Sequence, residues 1–169
     1  MRPTNLAVCL WKEGVEPRSK IGSGIGEYRR SLTPTQEQQF VDEVNMWIAE
    51  GWLVPHDSAK HGKPACVLPL IAQVQEHKQT TPDRPSLDYC AQNGHIKSFP
   101  GLDAPACSAT LRKWRAMDKS AADMRMLDIR KAYLQVRVHP DLFRYQTVLW
   151  RGKMYVMERM GFRLSIRPK

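Results

Sequence analysis

Two hydrophobic periods run along this chain. Between Thr33 and Gly51, Phe40, Val41, Val44, Trp47 and Ile48 recur at helical spacing and form one apolar stripe. Thr33 can cap that helix, Pro34 suits its first position, and Gln36 completes a capping box. Gly51 ends it. Val67 to Val74 has the character of a strand with a bend at Pro69, and Ser86 to Tyr89 reads as its returning partner. Polar residues from Gln75 to Asp83 make the hairpin tip between them. Ser108 to Met117 predicts a short helix with Leu111 and Trp114 inward and Arg112, Lys113 and Arg115 outward. Gln146 to Trp150 and Met154 to Glu158 predict a second hairpin around Arg151-Gly152-Lys153, where Gly152 supplies a positive φ. Met1 to Ser31 has no period, and its Gly22-Ser23-Gly24-Ile25-Gly26 run follows no strand, so residues 1–31 read as a flexible lead-in.

The chain is organised around Met126 to Pro140. Met124, Met126 and Asp128 alternate with Leu127 and Ile129, which puts one acid at the end of an apolar strand. Lys131 to Val136 breaks the alternation and suits a short helical turn. An unpaired carboxylate is costly to bury, so Asp128 needs a cation, donors or solvent. Spacing alone is served equally well by a solvent-facing Asp on an edge strand.

Composition narrows the class. With 169 residues and 42% hydrophobic content, the chain suits one medium domain with a real core. Its longest apolar stretch, Ala65 to Ala72, contains Pro69 and is too short to span a bilayer. No signal-peptide pattern opens the sequence, and the four cysteines, Cys9, Cys66, Cys90 and Cys107, form no Cys-x-x-Cys pair. These features predict an intracellular protein with reduced thiols and no membrane partner. His56, His61 and Cys66 are spaced by fives, as are Cys90 and His95. Structural zinc sites use tighter pairs, which makes zinc the lesser reading there.

Net charge is +9, and it is lopsided. Residues 84–169 hold 17 Lys or Arg against 7 Asp or Glu, a balance of +10, whereas residues 1–83 hold 9 against 10, a balance of −1. A basic half favours a polyanionic partner, nucleic acid first. Three basic residues in four at Arg112 to Arg115 suit contact with a phosphate backbone, and equally a solvated helix face.

Three segments then change the weighting. Leu127-Asp128-Ile129-Arg130-Lys131-Ala132-Tyr133-Leu134-Gln135-Val136 closely resembles the first catalytic motif of reverse transcriptases. Arg84-Pro85-Ser86-Leu87-Asp88-Tyr89-Cys90-Ala91-Gln92-Asn93 resembles that family's fingers motif. Met160-Gly161-Phe162-Arg163-Leu164-Ser165-Ile166-Arg167-Pro168 resembles its Pro-Phe-Gly-Leu-x-x-Ala-Pro segment. They stand in family order, and the nearest resemblance is to the polymerases of long-terminal-repeat retroelements. It extends from Leu32 to Lys169. The implied fold is α+β: fingers and a partial palm of a right-hand polymerase, with an antiparallel sheet and helices.

The resemblance also implies roles. Nucleotidyl transfer to a primer 3′-hydroxyl uses two Mg2+ ions held by oxygen ligands. Asp128 would bridge them, with the Ile129 carbonyl assisting. Arg84 would grip the triphosphate through its planar fork, and main-chain groups near Lys131 and Ala132 would meet the same phosphates. Tyr133 would lie under the sugar, and Phe162 would border the nucleotide pocket. Partners would be an RNA or DNA template-primer and deoxynucleoside triphosphates. Departures weaken the match: Cys90 stands for the family's Arg, Gln92 for its Leu, Arg163 for its Gly and Arg167 for a small residue. No Asp-Asp dipeptide occurs, so the second acidic motif is absent. The expectation is a truncated fragment of a polyprotein, lacking remaining polymerase and ribonuclease H parts and inactive alone. The alternative is a catalytically dead, basic nucleic-acid-binding remnant.

Overall fold

The computed structural model describes residues 6–8, 11–12, 27–28, 32–74, 83–97, 108–110, 112–113, 116, 129–162, 164 and 167–168. Its first helix, α1 (Pro34–Ala49), begins as the sequence dictates. Thr33 Oγ1 accepts from the Gln36 amide at 3.3 Å, and Gln36 Oε1 accepts from the Thr33 amide at 2.9 Å. Phe40, Val41, Val44 and Trp47 are buried. At the far end Gly51 takes φ +65°, its amide donates to the Ile48 carbonyl, and the Trp52 amide donates back to the Trp47 carbonyl. That pair of bonds turns the chain sharply and needs a residue at ease in the left-handed region.

The turn delivers β3 (Leu53–Pro55), followed by the one-turn helix α2 (Ser58–His61), β4 (Val67–Leu68) and β5 (Leu70–Val74). Pro69 separates β4 from β5, as its missing amide requires. β6 (Asp83–Leu87) pairs antiparallel with β5, Ala72 opposite Pro85 and Gln73 opposite Arg84. The returning strand therefore runs over 83–87 rather than over 86–89. Pro85 obscured its start, yet β6 is the edge of its sheet, where a proline costs no ladder bond. Tyr89 leads into α3 (Cys90–Asn93), a helical turn the pattern did not signal.

After a 3-10 turn at Ala132–Gln135 come β7 (Arg137–Val138), a second 3-10 segment at Pro140–Tyr145, and the hairpin β8 (Thr147–Trp150) and β9 (Lys153–Met157). Trp150 pairs with Lys153, so the connection is two residues, Arg151 and Gly152, with φ +47° and +74°. Positive φ at both is the hairpin geometry that matches strand twist. Lys153 belongs to the strand, not to the loop.

The largest sheet among the described residues has the order β3-β9-β8-β4. Its hairpin pairs are antiparallel, but β4 joins β8 parallel, Val67 opposite Thr147. The second sheet, β2-β5-β6, takes in β2 (Glu27–Tyr28), which runs parallel to β5. The third, β10-β1-β7, joins β1 (Leu6–Val8) and β10 (Arg167–Pro168) to β7. The class is α+β as expected, with mixed sheets. The two hairpins pair antiparallel, and so do the distant pairs β3–β9 and β1–β10, whereas β4–β8, β2–β5 and β1–β7 are parallel and all join strands far apart in sequence, because a parallel pair needs a long crossover. The described residues of the first 31 thus pair with the body; Trp11 also bridges Ile96.

Phe40, Val44 and Trp47 of α1 pack with Leu53, Leu68, Leu70, Leu87, Tyr89, Val148 and Met157 into the main core. A smaller cluster holds Val138, Leu142, Phe143 and Val156. Among the described residues, no helix is long and apolar enough to cross a membrane.

Candidate functional site

Asp128 lies outside the described residues, as do Arg115, Leu111 and Trp114. The residues just after Asp128 are described. Ile129 is 66% exposed, Lys131 takes the left-handed conformation with φ 53° and ψ 43°, and Ala132 opens the 3-10 turn that carries Tyr133. A non-glycine residue at positive φ is held there by its surroundings. Here the hold is visible. Lys131 Nζ pairs with Glu43 of α1, lies 3.8 Å from Met46 Sδ, and stands 5.7 Å over the Trp52 ring. Glu43 also accepts from Trp47 Nε1 at 3.0 Å. The Lys131 charge thus points at α1, while Ala132, Tyr133 and Gln135 of the turn are exposed. Glu43 went unmarked in the sequence, although an acid one helical turn before a buried Trp47 is a partly buried acid in want of partners.

Tyr133 and Phe162 come from separate segments, and the structure brings them together. Their rings meet edge to face, with centroids 5.3 Å apart and planes at 75°. Both are largely exposed, at 45% and 50%. With Ile129 they are the exposed large hydrophobics among the described residues.

Phe162 is positioned through its neighbour. Gly161 is buried against Tyr89, and a Cβ there would fall 2.1 Å from the Tyr89 hydroxyl. Tyr89, itself buried, donates from that hydroxyl to Gln146 Oε1 at 3.0 Å. Glycine is required here for close approach, so the Asp88-Tyr89 segment and the Gly161-Phe162 segment are locked together. Asp88 is tied at the same corner. The Cys90 thiol and then the Cys90 amide, the latter at 2.8 Å, donate to its carboxylate and hold it below the usual range.

Arg84 is exposed on β6. Arg112 and Lys113 are exposed helical residues.

The histidines spaced by fives have other employment. His61 Nδ1 accepts from the Asp57 amide at 2.9 Å, which leaves Nε2 to carry the proton and donate to Glu158 at 3.1 Å. His56 Nε2 lies 3.0 Å from the Gly62 carbonyl. Glu158 also pairs with Lys60; burial pushes its carboxyl up, but Lys60 and His61 outweigh this and hold it below its ordinary value.

Among the described residues, no group of three or more His, Cys, Asp or Glu could hold a metal ion. Asp88 is committed to Cys90 and Glu43 to Lys131 and Trp47. That leaves Asp128 as the one carboxylate of its motif.

No protein-family model and no curated protein sequence matches the chain. Solved structures do. The native protease-reverse transcriptase of Prototype Foamy Virus superposes with a TM-score of 0.59 at 17% identity over 97% of this chain. The foamy viral protease-reverse transcriptase in complex with dsDNA gives 0.55 at 16% over 98%, and that in complex with RNA/DNA hybrid gives 0.54 at 14% over 97%. This chain spans 19%, 29% and 19% of those proteins, respectively. At such identities the likeness speaks of architecture: the chain has a reverse-transcriptase-like fold.

Proposed function

We propose that residues 32–169 are the fingers and the beginning of the palm of a long-terminal-repeat retroelement reverse transcriptase, preceded by a lead-in over residues 1–31. In this reading the chain holds an RNA or DNA template-primer and does not extend a primer by itself. The observation that carries it is the meeting of Tyr133 and Phe162 beside the Lys131 turn. The two rings belong to segments that resemble two motifs of one polymerase family. Paired aromatic rings of this kind suit stacking with the flat base of a nucleotide. Tyr133 and Phe162 would line the place of the sugar and base of a deoxynucleoside triphosphate, Arg84 and the backbone at Lys131 and Ala132 would face its phosphates, and Arg112, Lys113 and Arg115 would face the nucleic-acid backbone.

The complexes with dsDNA and RNA/DNA hybrid formed by the foamy viral proteins support the nucleic-acid partner, as does the +10 balance of residues 84–169. Catalysis is a separate matter. One carboxylate can hold a hydrated magnesium only weakly, and a second ion beside it would meet little compensating charge. The departures at Cys90, Arg163 and Arg167 favour a second reading, a catalytically dead, basic nucleic-acid-binding remnant.

Titration of a labelled RNA/DNA template-primer at several salt concentrations tests binding. The expected result is micromolar-range affinity that falls steeply as salt rises; affinity indifferent to salt would refute it. Primer extension with magnesium or manganese, using Asp128→Asn as the contamination control, tests catalysis. No extension is expected; extension by the parent that vanishes in the control would overturn the inactive reading.

A further inference from the structure

Arg137, at the start of β7, and Arg159, two residues beyond β9, face each other across an isolated antiparallel bridge. The flanking bonds define what kind of pair this is. The Val138 amide donates to the Glu158 carbonyl at 3.2 Å, and the Met160 amide donates to the Val136 carbonyl at 2.8 Å. Bonds on both sides of a pair and none within it mark the narrow kind, with Cα atoms about 4.5 Å apart and both side chains on one face. Like charges placed there repel.

Among the described residues, nothing nearby relieves the repulsion fully. Alternation sends Val136, Val138 and Met160 to the other face, where they pack with Leu142, Phe143 and Val156. Glu158, adjacent to Arg159, offsets part of the charge, but its carboxylate bonds to Lys60 and His61. Among the described residues, neither guanidinium has an ion-pair partner, and Arg159 Nε is buried without an acceptor. Burial first, and then Arg137, push the Arg159 guanidinium below its ordinary value, which is what a charge lacking its counterion experiences.

We propose that Arg137 and Arg159 together bind a backbone phosphate of a nucleic-acid strand. A phosphodiester supplies what the pair lacks: a negative charge between two positive ones, and oxygens for the terminal nitrogens of two planar forks. The pair lies in the basic part of the chain, where a polyanion is already drawn. The proposal rests on the reading that this protein binds nucleic acid, and it adds a contact that neither the Tyr133–Phe162 face nor the residues of 112–115 provide.

The test exploits an opposition that a structural role would not produce. In the full chain, Arg137→Gln relieves the repulsion, so its Tm without ligand is expected to equal or exceed the parent's. Titrated against a labelled duplex, the same variant is expected to bind more weakly, with the slope of log affinity against log salt reduced by about one. Arg159→Gln is expected to behave alike in binding; should it fold poorly, the exposed Arg137 decides the matter. Inorganic phosphate at constant ionic strength should raise the parent's Tm and leave that of Arg137→Gln unmoved. If Arg137→Gln keeps the parent's duplex affinity and slope while the parent's binding is salt-dependent, the proposal is overturned and the wider nucleic-acid reading stands. If the variant loses only the phosphate effect, the pair takes free anions and its assignment to nucleic acid is overturned. A parent that binds no duplex overturns both.

Discussion

The main core and the Tyr133–Phe162 face treat large apolar side chains in opposite ways. Beneath α1, Val44, Leu53 and Val148 are completely buried. By contrast, Ile129 is exposed, and Tyr133 and Phe162 are about half-exposed. The core residues are where they are because burial of each stabilises the fold by roughly 1.5–3 kcal/mol. The exposed ones bury less apolar area and so contribute less to the fold. Yet the two regions are joined: Glu43 and Trp52 hold Lys131 from below, and Tyr89 holds Gly161. The core serves as the rigid support on which the exposed rings are set.

The strongest test of that division is a pair of truncations. Leu53→Ala is expected to cost about 2–5 kcal/mol in denaturant unfolding, and Tyr133→Ala less than about 1 kcal/mol. Equal losses would show that Tyr133 is part of the packing rather than displayed by it.

The joint between the regions is tested next. Gly161→Ala would drive a methyl into the Tyr89 ring and is expected to cost about 1–3 kcal/mol, measured by thermal melting. A variant as stable as the parent would mean that the Tyr89 corner yields and does not fix Phe162.

A smaller effect is expected at the other tie. Glu43→Gln keeps an acceptor for Trp47 Nε1 but leaves the half-buried Lys131 charge without its partner, at about 1 kcal/mol. Adding Lys131→Met should cost little more, since the stranded charge is then gone. Strict additivity of the two changes would deny that Glu43 and Lys131 act as a pair.

The smallest effect is expected from acid. The folded-state pKa of Glu158 is depressed, so its contribution is present above the ordinary value of 4.5 and is lost as pH falls through the folded value. Asp88 adds a loss of the same sign below its ordinary 3.8. Melting temperature should therefore decline from pH 5 to pH 3 more gently in Glu158→Gln than in the parent; identical profiles would remove Glu158 from the account.

Much of this was legible in the residues. Thr33, Pro34 and Gln36 specify a helix start through local bonds, and Pro69 and Gly152 specify a break and a turn through their own backbone preferences. Such effects act within a few residues, and α1, the β4–β5 break and the β8–β9 hairpin all formed where local chemistry put them. Pro85 shows the limit. A proline forbids a central strand but not an edge, and whether β6 lies at an edge depends on which strand comes to sit beside β5. Tyr133 and Phe162 were identifiable as candidates from the segments that hold them, while their contact was not.

What the sequence determined by itself, then, is α1, the break at Pro69, the β8–β9 hairpin, the basic half, and the single acid of the Asp128 motif, because capping, turn formation, apolar periodicity and charge are properties of neighbours along the chain. Tertiary structure alone decided that Lys131 turns toward Glu43, that Gly161 rests on Tyr89, and that Arg137 is set against Arg159. Each of those pairs is separated by at least 22 positions in sequence. No local preference encodes such a meeting; it follows from which apolar faces pack together, and packing is settled only when the whole chain has folded.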